Sequence, residues 1–144
     1  MKFLYIDSSA LVKLYKPERH SIEVRRQVDD ATDVGTSALA EVEVCGALAR
    51  AQRGAGLDAG DAARLRALFL NEFEHMTVIE PVAEVLSSAR QLAERHFLRA
   101  YDAVHLASAL RLARELGEEI VFLAFDDALN AAAARENLRV PAAQ

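Results

Sequence analysis

The sequence predicts an α/β fold: a single domain built on an open parallel sheet of four to five strands flanked by helices. Three observations carry this. Two short apolar runs, Phe3 to Ile6 and Ile120 to Ala124, stop abruptly near acids, as strands buried on both faces do. Between them lie long stretches with apolar residues three and four apart, the period of an amphipathic helix. Glycine and proline punctuate the boundaries, and strands alternate with helices along the chain, the order that builds parallel sheets with right-handed crossovers.

In chain order, the first strand ends at Asp7, and the Ser8-Ser9 pair is placed to cap a helix running to Lys16. Pro17 ends that helix, because the residue before a proline is pushed out of the helical region. His20 to Asp30 reads as a second helix and Asp33 to Thr36 as a short strand. A long helix follows from Ala38 to Arg53, with Leu39, Val42, Ala47 and Leu48 as its packing face, stopped at Gly54 to Gly56. Asp58 opens another helix through Leu65, Leu68, Phe69 and Phe73. Thr77 to Glu80 reads as a third strand, and Pro81 suits the first turn of the helix carrying Val85, Leu86, Ala89 and Leu92. Arg99 to Leu116 is a further helix, ended by Gly117. After the second apolar strand comes a helix from Ala128 to Glu136 and then Leu138 to Val140. Residues 1–140 are expected to form the domain and 141–144 a short tail.

Composition narrows the function. At 144 residues and 52% hydrophobic the chain has enough apolar material for one core. No apolar run approaches the roughly 18 to 20 residues that cross a membrane, and no leader pattern precedes the first strand, so a cytoplasmic protein is expected. The single Cys45 excludes an internal disulfide framework and a multi-cysteine metal site. With 22 acidic against 17 basic residues the net charge is −5, the wrong sign for a general nucleic-acid binder. The absence of tryptophan argues against a base-stacking platform.

The acids are the chemically pointed feature. In a parallel sheet the carboxyl ends of the strands share one edge, so Asp7 and Asp126 approach there. Asp102 opens an otherwise apolar and small-residue helix, and Glu41 and Glu43 lie near the start of the long one. Several carboxylates in one cleft repel each other and raise each other's pKa. A divalent cation removes the conflict, and hard oxygen donors favour Mg²⁺ or Mn²⁺ over zinc. His105, three residues after Asp102, is expected to be a buried, hydrogen-bonded side chain. Ser9 stands as helix cap or as hydrogen-bond partner of a ligand. Lys13, Lys16, Arg19, Arg25 and Arg26 are candidates for a basic rim.

Four segments together resemble a known family, the PIN domains, and most closely ribonuclease toxins of the VapC type. They are Asp7-Ser-Ser-Ala-Leu-Val-Lys-Leu-Tyr15 with Pro17-Glu18, Ser37-Ala-Leu-Ala-Glu-Val-Glu43 with Ala47 to Arg50, Tyr101-Asp102-Ala-Val-His-Leu-Ala107, and Phe125-Asp126 with Leu129 and Ala132. The likeness covers almost the whole chain, in order. It implies a Mg²⁺- or Mn²⁺-dependent endoribonuclease whose catalytic and metal-holding acids are Asp7, Glu43, Asp102 and Asp126, with products bearing a 5′-phosphate. Glu43 rather than Glu41 matches the family spacing, six after Ser37 and four before Ala47. The chain departs from the pattern at Ala124, where relatives often carry Thr or Ser, and in having Asp127 directly after Asp126.

The resemblance also implies an RNA substrate, a cognate VapB-like antitoxin and a homodimer, here through the helices around Leu39 to Leu48 and Leu65 to Phe73. The alternative is a non-catalytic PIN-like scaffold that binds RNA or a protein. A haloacid-dehalogenase-type phosphatase needs an acid where this chain has Ser9, and there is no glycine-rich nucleotide loop.

Overall fold

The computed structural model describes residues 2–54 and 56–141. Strand β1 (Phe3–Ile6) is buried at every position. Its alternation sends Phe3 and Tyr5 into one apolar cluster and Leu4 and Ile6 into another, as the two-residue period of a strand demands. Strand β4 (Ile120–Leu123) divides likewise, Ile120 and Phe122 on one face, Val121 and Leu123 on the other. Burial on both faces is why these two strands read as unbroken apolar runs. With β2 (Asp33–Ser37) and β3 (Thr77–Ile79) they make a four-stranded sheet of order β3-β2-β1-β4. Every pairing is parallel. Leu138 to Val140 adds only an isolated bridge, Arg139 to Val121.

The chain winds outward from β1 to β2 to β3 and then crosses back to β4. The outward connections are α1 (Ser8–Leu11), a 3-10 turn (Val12–Leu14), α2 (Ser21–Asp30), α3 (Leu39–Arg53) and α4 (Ala59–Phe73). They bury Leu11, Val24, Val44, Leu48 and Phe69 on the Leu4 face. The return runs through α5 (Ala83–His96) and α6 (Ala100–Leu116), which with α7 (Asp127–Arg135) cover the Tyr5 face. Crossovers of constant hand put helices on opposite faces when the direction of winding reverses. The reversal falls between β1 and β4, and a crevice opens at the carboxyl ends of strands at such a point. Gly35 of β2 lets α6 lie close to the sheet: a Cβ there would stand 2.6 Å from Leu112 Cδ2 and 3.3 Å from the Thr77 carbonyl.

Several expectations need correction. The first helix is one turn, tightening into the 3-10 turn well before Pro17, and its cap is Asp7 rather than a serine. Pro81 precedes the helix it was expected to enter; α5 starts at Ala83 with Val82 as cap. The buried face of α3 is Ala40, Val44 and Leu48, and Val42 is exposed. Leu68 and Leu86 also face outward. Helical spacing cannot tell which of two adjacent stripes a neighbouring element covers. Apart from Pro141, the expected tail lies outside the described residues.

Candidate active site

Asp7 follows the last residue of β1, and its N–H donates to the Leu123 carbonyl at 3.1 Å, tying it to the end of β4. It is 3% exposed. Its Oδ1 accepts from the Ala10 N–H at 2.9 Å, and the Ser9 hydroxyl reaches both carboxylate oxygens at 2.9 and 3.0 Å. Burial pushes the Asp7 carboxyl above its ordinary pKa and the nearby Asp102 charge adds to the push, against His105, the Ala10 N–H and Ser9. Asp7 is thus cap and buried charge at once, and Ser9 bonds the carboxylate itself.

Glu43, on the second turn of α3, meets the first turn of α1 and the second turn of α6. The Ser8 hydroxyl donates to Glu43 Oε1 at 2.7 Å, and His105 Nε2 lies 3.0 Å from the same oxygen and 3.0 Å from Ser8 Oγ. Burial raises the Glu43 carboxyl, but the hydrogen bonds from His105 and Ser8 outweigh it and hold the pKa below the ordinary value. The far ring nitrogen of His105, Nδ1, sits 2.8 Å from the hydroxyl of the fully buried Tyr5.

Asp102, in the first turn of α6, and Asp126, the cap of α7, share a cation. Arg99 Nη2 stands 3.4 Å from Asp102 Oδ2 and 3.4 Å from Asp126 Oδ2. The other oxygen of Asp126 accepts from the Leu129 N–H at 2.8 Å. Asp126 therefore caps a helix with one oxygen and faces a positive group with the other.

The four acids come from the ends of β1 and β4 and the early turns of α3 and α6, all at the sheet's carboxyl edge. Glu43 is held by Ser8 and His105, Asp7 by Ser9 and the Ala10 N–H with the Asp102 charge nearby, and Asp102 stands beside Asp126 through Arg99. Among the described residues no three Asp, Glu, His or Cys side chains are drawn together closely enough to hold an ion as they stand. The donor chemistry still suits a hard divalent cation. All four are carboxylates, Asp7 has no ion-pair partner among the described residues, and Asp102 and Asp126 already face one positive group.

A PIN domain model matches residues 4–135. Ribonuclease VapC46 of Mycobacterium tuberculosis is 37% identical over 136 residues, covering 92% of each chain. The chain belongs to the PIN-domain family, VapC type. Two solved structures share its fold. The Sarcin-Ricin loop cleaving toxin VapC20 of Mycobacterium tuberculosis aligns with a TM-score of 0.64 at 21% identity, over 90% of this chain and 94% of that one. A chain of a toxin–antitoxin complex from Klebsiella pneumoniae aligns with a TM-score of 0.56 at 15% identity, over 82% and 83%.

Within this PIN domain, Glu41 and Asp127 are exposed, and it is Glu43 and Asp126 that reach the groups described above. Ala124 offers its carbonyl to Asn130 Nδ2 at 2.9 Å. The expected basic rim is largely neutralised: Lys13 and Lys16 pair with Glu18, Arg25 with Asp29 and Arg26 with Glu23. Three participants were not singled out as site residues by sequence reasoning: Ser8, taken as a cap, Tyr5, taken as core, and Arg99, taken as a helix start. The one available signal was spacing, since Arg99, Asp102 and His105 recur every three residues along one side of α6.

Proposed function

We propose that this PIN domain is an endoribonuclease that hydrolyses RNA phosphodiester bonds with a divalent cation, as the toxin of a VapBC-type pair in the cytoplasm. The reading rests on one observation above others: Asp7 and Asp126 follow the neighbouring strands β1 and β4 at the sheet's switch point, where Arg99 bridges Asp126 to Asp102 and Ser8 of α1 holds Glu43. Membership of a family whose relatives are named ribonucleases supports it.

Asp7, Glu43, Asp102 and Asp126 would hold Mg²⁺ or Mn²⁺, which lowers the pKa of water and neutralises charge on a phosphate. The rest is done by the chain. Ser9 and the Ala10 N–H lock the Asp7 carboxylate in one orientation. Ser8 and His105 keep Glu43 ionised, so it is ready as a ligand or as the group that orients the attacking water. Arg99 offers positive charge over Asp102 and Asp126, where a substrate phosphate needs it in a chain of net charge −5. The antitoxin is proposed as a small protein that covers this edge, and a homodimer as the assembled form.

The test is cleavage of RNA by purified protein with Mg²⁺ or Mn²⁺, and by Asp7→Asn and Asp102→Asn. Cleavage by the wild type, lost in EDTA and in both variants, is the expected result. Full activity in both variants, or a wild type that cleaves no RNA, overturns it and favours a binding scaffold.

A further inference from the structure

We infer that His105 is a positioning residue: a buried chain from Tyr5 through His105 backs the ring from the core, and its Nε2–H, with the Ser8 hydroxyl, presents Glu43 in a single orientation. This rests on the reading of Glu43 as a member of the acidic site. Tyr5 is completely buried, and its hydroxyl lies 2.8 Å from His105 Nδ1, with the Ser108 and Thr36 hydroxyls also beside it. The neighbouring hydroxyls give their protons elsewhere, Ser108 to the Val104 carbonyl and Thr36 to the Ile6 carbonyl. Ser8 gives its hydrogen to Glu43 Oε1 at 2.7 Å and a carboxylate only accepts, so the ring carries a hydrogen on Nε2, pointing at Glu43 Oε1 and Ser8 Oγ, each at 3.0 Å. A neutral ring then turns its Nδ1 lone pair to the Tyr5 hydroxyl.

The opposite tautomer would set an Nε2 lone pair 3.0 Å from a carboxylate oxygen. In the assigned state the Ser8 hydroxyl also donates to Oε1 at 2.7 Å, so two hydrogen bonds converge on one oxygen of Glu43 and leave Oε2 for a ligand. His105 is 2% exposed and fixed on both sides of its ring. Tyr5 stacks on Phe122 with centroids 5.6 Å apart, which holds the far end of the chain in the core. A buried hydrogen-bond donor behind a ligand carboxylate is the arrangement that sets ligand orientation in metal sites.

The experiment reads the ring nitrogens of His105 directly, by long-range ¹H–¹⁵N correlation on the ¹⁵N-labelled full chain. A proton on Nε2 and a bare Nδ1 is the expected result; a proton on Nδ1 overturns the inference. Mn²⁺ titration then compares wild type, His105→Leu and His105→Gln, with melting curves to establish folding. His105→Leu should bind Mn²⁺ roughly 10- to 100-fold more weakly. His105→Gln, whose amide N–H can replace Nε2–H, should recover most of that loss. Equal affinity in wild type and His105→Leu, or equal loss in both variants, overturns it. Should His105→Leu not fold, the tautomer of the wild type and the Gln titration decide. A wild type that shows the expected tautomer and binds Mn²⁺ but cleaves no RNA removes the nuclease reading and leaves the positioning role standing.

Discussion

Asp7 performs two tasks that pull against each other. It caps α1 and ties the end of β1 to β4, which stabilises the fold, yet it is a carboxylate held out of water. Its pKa is raised in the folded chain, through burial first. The folded state therefore binds more protons than the unfolded one between the two pKa values, and stability falls as pH rises through that window. The loss is complete once pH exceeds the folded value. An Asp7→Asn variant keeps the acceptor for the Ala10 N–H without the charge. It should melt higher than wild type at pH 7 in EDTA, where each 1 kcal/mol is worth about 2–4 °C in a domain of this size. The gap should close at pH 3, below the ordinary carboxylate value. Added Mg²⁺ should raise the melting temperature of the wild type alone. A lower melting temperature for Asp7→Asn at pH 7 would show that the ionised form is the better cap.

Among the elements, the decisive contact is α6 against β2. Helix α6 carries Asp102 and His105 and has a nearly continuous buried stripe from Ala103 to Ala109, with Leu112 beyond it. Small residues there, and the missing side chain at Gly35, let the helix settle close to the sheet. Gly35→Ala would drive Leu112 from its place and press on the Thr77 carbonyl. The expected cost is about 1–3 kcal/mol from overpacking, measurable as a lower denaturant midpoint. Because α6 would shift with its acid, Mn²⁺ affinity should fall in the same variant. An unchanged midpoint would mean that Leu112 finds another rotamer at no cost.

At the scale of the whole molecule, the outward-winding helices leave apolar side chains uncovered. Val42 on α3 is 72% exposed and Leu68 on α4 is 46% exposed, and α3 packs against α4. The proposed homodimer would bury this pair of helices. Light scattering at micromolar concentration should give twice the 15.8 kDa chain mass, and Val42→Glu should return it to the monomer value. A wild type that is monomeric under these conditions sinks this assembly. The buried core would be untouched in either case, since Ala40, Val44 and Leu48 of α3 already face the sheet.

The sequence by itself determined the α/β class and the order of elements, and it singled out the four acids as the proposed site. Buried parallel strands must be apolar on both faces, and acids at strand ends are conspicuous against them. The same local logic overreached at Val42, Leu68 and Leu86, where an apolar side chain at helical spacing found no neighbour. Only the tertiary structure decided that Glu43 rather than Glu41 reaches Ser8 and His105, and that Asp126 rather than Asp127 reaches Arg99. It also turned Ser8 and Arg99 from cap and helix start into partners of the acids, and Tyr5 from core into the partner of His105. The reason is physical: a hydrogen bond between residues 100 apart, such as that from Tyr5 to His105, exists only once a crossover has carried α6 back over β1. No local period or spacing records where such a crossover lands.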